Sequence, residues 1–334
     1  MSEFRQDIVN KNWVLIAEGR QRRPTDFQTY AATPPELPGV SAKCDFCPGR
    51  EAESGEEIAR YTAPSGGKDW LIRVVPNKYE AVEHMIGKRT EDFYVSRPGI
   101  GDHEVLITRP HNQPVALQNV ELIDLTLKAY IDRFDDLWLH DEVRYVHVIQ
   151  NHGIQAGASM AHPHSQIFAI PFLPDRIRDE ISGTRDFYEI NEACVYCEMI
   201  MFEMRAEKRV ILEYPEFLVI APYASKMPFE IHILPKTHRA FFHRITISER
   251  KALAVVMKEV FSRLYKRMQN PSYNYYIHTL PQRLSMGRLS INDHDAYHWH
   301  IVVMPRVNVW AGFELGTEVY VNPMPPEKAA KFFH

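Results

Sequence analysis

The sequence predicts an α+β fold of two tandem units, residues 1–175 and 176–334, each a mostly antiparallel sheet with one long helix. Three observations carry this prediction. Short β-branched runs of strand length recur between turns. One strongly amphipathic helix interrupts each set of runs, which favours antiparallel pairing. The same order of cysteine and histidine landmarks occurs twice, as an internal duplication requires.

In the first unit, residues 13–17, 71–75 and 104–108 read as strands, and the Pro-, Gly- and charge-rich stretch 25–67 reads as a long loop. A helix follows, with Ile123, Leu127, Tyr130, Ile131, Phe134 and Leu137 on one face. Residues 144–149 and 166–170 read as strands flanking a Gly-containing loop at 153–159. In the second unit the strand runs are 209–212, 217–221 and 230–234. A helix then carries Leu253, Val256, Met257, Val260 and Leu264 on one face, with Thr246 and Glu249 at capping-box spacing. Strands at 273–278 and 299–304 complete the repeat.

Composition narrows the functional classes. The chain has 334 residues, a net charge of −4 and 11% aromatic residues, which excludes disorder and a nucleic-acid-coating role. The first residues carry acids and no apolar core of a signal peptide, and no stretch suits a transmembrane helix, so a cytoplasmic protein without membrane contact is expected. Reduced cysteines are then ligands or nucleophiles before they are disulfides.

All four cysteines fall in two Cys-x-x-Cys pairs. Cys44 and Cys47 are followed by His111 at a strand end and by His162-Pro163-His164; Cys194 and Cys197 are followed by His238 and by His298-Trp299-His300. Two thiolates and two imidazoles complete a tetrahedral set, and thiolate with imidazole selects zinc. The expected sites are Cys44, Cys47, His111 and His162, and Cys194, Cys197, His238 and His298. Neither leaves an open position, so both are structural.

His164 is the candidate nucleophile. Fixing His162 on a metal holds His164 beside it, and alternation puts Gln166 on the same face. Neutral imidazole attacks phosphorus to give a reactive P–N bond. The preceding loop, with Gly153, Gly157 and Ser159, offers backbone N–H groups and small side chains suited to phosphate oxygens.

Residues 151–166, ending His162-Pro163-His164-Ser165-Gln166, resemble the active-site segment of the galactose-1-phosphate uridylyltransferase family of the histidine-triad superfamily. The likeness extends to Gly19-Arg20-Gln21-Arg22-Arg23-Pro24, Arg73-Val74-Val75-Pro76-Asn77, Phe172-Leu173-Pro174, Pro228-Phe229-Glu230, His298-Trp299-His300 and Gly312-Phe313-Glu314. It implies two histidine-triad-like units and a homodimer. It also implies a ping-pong exchange in which His164 takes UMP from UDP-glucose and passes it to galactose 1-phosphate. In that scheme Gln166 bonds a phosphoryl oxygen and the His162 carbonyl orients the nucleophile. Asn151, Gly157 and Ser159 contact the substrate, Arg20 and Arg23 lie near the nucleotide, Asn77 near the ribose or base, and Glu314 binds the sugar. Trp310-Ala311-Gly312-Phe313-Glu314 lacks the Lys of the bacterial sugar-phosphate stretch; with the second Cys-x-x-Cys this is similar to the ADP-glucose phosphorylase branch. The alternatives are therefore phosphorolysis of ADP-glucose or of a dinucleoside polyphosphate by the same histidine, and a zinc-stapled nucleotide-binding protein. Some relatives bind iron through residues matching Glu180, His278, His298 and His300, which competes with zinc for His298.

Overall fold

The computed structural model describes residues 2–20, 44–63, 66–83, 90–91, 93–282 and 292–334. In chain order the first unit has β1 (Ser2–Gln6), β2 (Trp13–Ala17), β3 (Ala59–Thr62), β4 (Trp70–Pro76), β5 (Thr90–Glu91), β6 (Val95–Ser96) and β7 (Asp102–Thr108). Helix α1 (Val120–Leu137), β8 (Tyr145–His152) and β9 (His164–Ile170) follow, then α2 (Asp175–Asn191) and α3 (Val195–Ala206). The second unit continues with β10 (Val210–Glu213), β11 (Phe217–Ile220), β12 (Ile231–Pro235), α4 (Ile247–Met268), β13 (Tyr273–His278), α5 (Asp293–Ala296) and β14 (His300–Pro305). Helix α6 (Gly312–Thr317), β15 (Tyr320–Asn322) and α7 (Pro326–Phe333) end the chain.

The two strand sets do not form separate sheets. They join in one ten-stranded sheet of order β10-β11-β12-β14-β13-β8-β9-β7-β4-β3, all antiparallel, with β8 and β13 meeting at the centre. Reading outward from that seam, β8, β9, β7, β4 and β3 answer to β13, β14, β12, β11 and β10. The duplication is therefore a pseudo-two-fold in the sheet itself. Alternation sorts each strand. Ile167 and Ala169 of β9, and Ile301 and Val303 of β14, enter the main core beneath α1 and α4. His164 and Gln166, or His300 and Val302, face the other side.

Both long helices start on side-chain caps, Asn119 accepting from the Leu122 N–H and Thr246 forming a reciprocal capping box with Glu249. They pack on the same sheet face, tied by Arg250 to Asp124 at 2.7 Å. Strand β3 lies inside the stretch expected to be loop; its four residues are too few to show a period. A second sheet, β1-β2-β15, is attached to the second unit, where Asn322 donates to the Ser225 carbonyl at 2.9 Å and Arg5 pairs with Glu327 at 2.9 Å. Among the described residues no helix is long and apolar enough to cross a membrane.

Candidate active site and metal clusters

The first cluster forms where three chain segments meet. Cys44 and Cys47 lie in a tight turn whose Cys47 N–H bonds the Cys44 carbonyl; His111 follows β7; His162 precedes β9. Their ligand atoms all lie within 4.8 Å of one another, and all four residues are buried. The His162 Nε2–H donates to the Thr108 carbonyl at 2.6 Å, which turns Nδ1 toward the sulfurs of Cys44 and Cys47 at 3.5 and 3.7 Å. His111 Nδ1 is 3.0 Å from Cys47 Sγ and 3.2 Å from His162 Nδ1. Tetrahedral zinc, with bonds of about 2.0 Å to nitrogen and 2.3 Å to sulfur, implies donor separations of roughly 3.3–3.8 Å. The set fits a four-coordinate soft-ligand ion. Burial pushes the Cys44 thiol up to about 11, so filling this site expels protons.

The second cluster repeats this plan. Cys194, Cys197, His238 and His298 converge; the His298 Nε2–H donates to the Pro235 carbonyl at 2.9 Å, and its Nδ1 faces Cys197 Sγ at 3.7 Å and Cys194 Sγ at 3.9 Å. Cys197 Sγ lies 3.5 Å from His238 Nδ1. Even the ring inside each Cys-x-x-Cys is repeated: Phe46 meets His162 at 5.9 Å between centroids, and Tyr196 meets His298 at 5.9 Å. A third group holds Glu180, His278 and His300 without His298, whose Nδ1 faces the cysteine sulfurs.

His164 opens β9 directly after the first cluster. Its Nδ1 lies 2.8 Å from the His162 carbonyl oxygen. A carbonyl only accepts, so Nδ1 carries the hydrogen and Nε2 keeps its lone pair. Burial holds the ring's pKa below the usual histidine value, although the His162 carbonyl partly offsets this. The result is a neutral imidazole of fixed tautomer. Gln166, two residues on, accepts from His103 Nε2 at 2.8 Å; the Ala81 N–H on His103 Nδ1 sets that tautomer. His103 stacks on Phe168 with centroids 3.9 Å apart, and the Asn77 amide nitrogen lies 3.0 Å from its Nε2. With Oε1 engaged, the Gln166 NH₂ remains as donor.

The loop before β9 is built on positive-φ glycines. Gly153 has φ 81°, and a Cβ there would stand 2.2 Å from Ser272 Oγ of the second unit. Gly157 takes a left-handed conformation at φ 81°, ending a short turn. Asn151 lies two residues past Ile149, the partner of Gln166, and its Oδ1 accepts from Asn274 at 2.8 Å. Ser159 is exposed two residues beyond Gly157. The structure thus gathers Gln166 and Asn77 around His103, with His164 two residues before Gln166 on the same strand face and Asn151 at the end of the neighbouring strand. Glu314 is elsewhere: in α6 its carboxylate accepts from the Ala311 N–H at 3.0 Å, beside the small sheet. Arg20 ends the turn after β2 of that same sheet, and Arg23 lies outside the described residues.

Two contributors escaped the sequence reading. His103 sits on a strand with no motif around it. Tyr130 bonds both Ser165 Oγ and Tyr275 OH, fastening the residue between His164 and Gln166 to the second unit. Its helical spacing reads simply as core.

A duplicated antiparallel sheet presenting a neutral, carbonyl-oriented histidine and an amide donor beside a Cys/His cluster is a setting that fits a nucleotidyltransferase. Residues 1–174 match the family described as galactose-1-phosphate uridyl transferase, N-terminal domain, and residues 180–318 match its C-terminal domain. The chain belongs to this galactose-1-phosphate uridyl transferase family. It is 34% identical to ADP-glucose phosphorylase of Arabidopsis thaliana, covering 98% of this chain and 91% of the relative. It is 27% identical to galactose-1-phosphate uridylyltransferase of Thermotoga maritima, covering 99% and 97%. A crystal structure of an Arabidopsis thaliana ADP-glucose phosphorylase with bound ADP-glucose superimposes with a TM-score of 0.82 at 30% identity, covering 100% and 98% of the two chains.

Proposed function

We propose that the chain moves UMP between UDP-glucose and galactose 1-phosphate through a covalent uridylyl-His164 intermediate. The observation that carries this reading is the His164 tautomer, with Nδ1–H on the His162 carbonyl and Nε2 free for attack. In the first half-reaction Nε2 bonds the α-phosphorus as the bond to the leaving sugar phosphate breaks. The second half-reaction reverses this with the acceptor phosphate as nucleophile. The Gln166 amide stabilises charge on a non-bridging oxygen, aided by substrate contacts from Asn77, Asn151, Gly157 and Ser159. Arg20, Arg23 and Glu314 belong to the proposed substrate set by family likeness.

Similarity to the Arabidopsis ADP-glucose phosphorylase supports a second reading, transfer of AMP from ADP-glucose to inorganic phosphate by the same histidine. One experiment separates them: incubate the protein with α-labelled UDP-glucose and, in parallel, ADP-glucose, then quantify protein-bound label. Stable label from UDP-glucose supports uridylyl transfer, and label from ADP-glucose alone overturns it in favour of adenylyl transfer. We further propose one zinc in each Cys₂His₂ cluster and a cytoplasmic homodimer, checked by elemental analysis and light scattering. Zinc would act as a structural clamp, holding His162 and thereby the carbonyl that orients His164.

A further inference from the structure

The second unit holds a cavity of about 580 Å³ over His300, at the place where the first unit presents His164. Its floor is the open sheet face, with His232 of β12 and His300 and Val302 of β14. One wall is the chain turn after β1, pressed so closely to α2 that a Cβ on Gly183 would stand 1.8 Å from the Val9 carbonyl oxygen. This size suits a small-molecule ligand. Val302 occupies the position of Gln166, so the amide that the reaction uses is missing.

Lys226 and Arg176 are two of the four Lys and Arg side chains that line the space. Lys226 is 7% exposed, and its ammonium faces the Tyr320 ring at 5.3 Å; Arg176 lies 5.5 Å over the Tyr276 ring. Among the described residues neither has a carboxylate oxygen within 4.0 Å. Of the five acids that line the cavity, four accept hydrogen bonds, and Glu198 is the fifth. Glu230 accepts from the Lys226 and Met227 N–H groups and from His232; Glu180 binds His278 and Tyr297; Glu203 binds Arg209; Asp7 caps the Val9 and Asn10 N–H groups. Burial and the nearby Arg176 push the Lys226 ammonium pKa down, while Glu230, Asp7 and Glu180 push it up; Arg176 itself is exposed at the cavity mouth. Apolar surface from Ile8, Met199, Phe202 and Tyr223 completes the walls.

We propose that this cavity is a non-reacting binding site for a phosphomonoester with a ring-bearing body, such as a nucleoside monophosphate. Its phosphate lies between Lys226 and Arg176 and its ring lies against Tyr223 and Phe202. The phosphate supplies both cations with a direct acceptor that no carboxylate within 4.0 Å gives them, and without an amide at position 302 the ligand is held rather than transferred. The analogy with the first unit rests on the nucleotidyl-transfer reading; the paired cations and the cavity do not.

The test is calorimetric titration of the metal-loaded full-length protein with AMP and with UMP, in wild type, Lys226→Met and Arg176→Met, together with the labelling assay for His164. A nucleotide equivalent whose Kd rises at least tenfold in both variants, with His164 labelling unchanged, establishes the site. Nucleotide binding insensitive to both substitutions overturns it. A protein that never labels at His164 yet keeps the Lys226-dependent equivalent would overturn the transfer reading and leave this site standing.

Discussion

The two units repeat one backbone device and differ in what surrounds it. His164 and His300 each open a strand and each direct Nδ1 to the carbonyl two residues earlier, at 2.8 and 3.2 Å. Each preceding histidine bonds a carbonyl at the end of the neighbouring strand, Thr108 or Pro235. Burial keeps both open-face rings neutral. The difference lies in three positions. Gln166 is answered by Val302, Val105 by His232, and His103 by Glu230 in the same register. A carboxylate where the first unit has imidazole, and an isopropyl group where it has an amide, leave position 302 without the amide donor that Gln166 offers. Histidine geometry is inherited with the fold, while reactivity needs only a few further side chains. The sharpest break of this comparison is His164→Ala. It should lower nucleotide transfer by at least ~10⁴-fold and abolish covalent label with zinc content intact, because the second unit supplies no substitute nucleophile. Residual label on His300 would show that the units are not specialised.

The clusters sharpen the comparison from the side of stability. Cys44→Ser and Cys194→Ser should each remove about one zinc per chain and lower Tm by at least about 10 °C, since each breaks a buried clamp worth several kcal/mol. Transfer should separate them. Loss of the first clamp frees His162, whose carbonyl orients the nucleophile, so activity falls steeply; loss of the second leaves the rate per folded molecule within about threefold. Elemental analysis, thermal melts and single-turnover labelling read the three effects.

Much of this contrast was legible in the residues, and the reasons are physical. Cys-x-x-Cys spacing is short-range and chemically restrictive, so ligand sets repeated in order could be read across some 100 intervening residues. The helices α1 and α4 carried a strong 3.6-residue period. The fusion of ten strands into one sheet was not legible, because the β8–β13 pairing joins residues more than 100 positions apart and depends on contacts such as Gly153 against Ser272. Helix α2 is not legible because much of its surface is polar, with buried residues such as Ile177 and Ile181 facing inward; α3 is not legible because apolar residues run around it, Met201 and Phe202 remaining exposed, so no single face stands out. Likewise Glu314 and Arg20 carry family likeness, but their place on the small sheet depends on β15 pairing with β2, from opposite ends of the chain.

Gln166→Ala should cost roughly 10²–10³-fold in kcat with little change in KM, the usual loss for one preorganised donor to a charged transition state. The counterpart change, Val302→Ala, should leave the transfer rate within about twofold and register only as a packing loss. pH offers a milder probe. With its folded pKa lowered by burial, His164 keeps its lone pair to lower pH than an ordinary histidine, whose pKa is ~6.5. The labelling rate should therefore fall on the acid side with a midpoint below ~6.5. The same burial makes acid destabilising. His243, held down to about 4, contributes stability that is complete above ~6.5 and is lost progressively as pH falls toward 4, because only the unfolded chain takes up the proton there. A midpoint of the rate limb above 6.5 would mean that the nucleophile is stabilised as a cation.

The smallest loss expected within the first site is the most specific to this arrangement. His103 has no counterpart imidazole in the second unit, and its role runs entirely through Gln166. The Ala81 N–H occupies Nδ1, so Nε2–H donates to Gln166 Oε1 and the amide nitrogen is left facing outward as the donor. Removing His103 frees the amide to rotate and present oxygen to an anionic phosphate, an orientation worth nothing in the transition state. His103→Ala should then reduce kcat about tenfold while KM barely moves. A merely structural loss would add to the Gln166→Ala defect. A positioning loss would vanish in that background, so the double variant should be no slower than Gln166→Ala alone. Additive losses in this cycle would place His103 in the packing around Phe168 rather than behind the amide that distinguishes the first unit from the second.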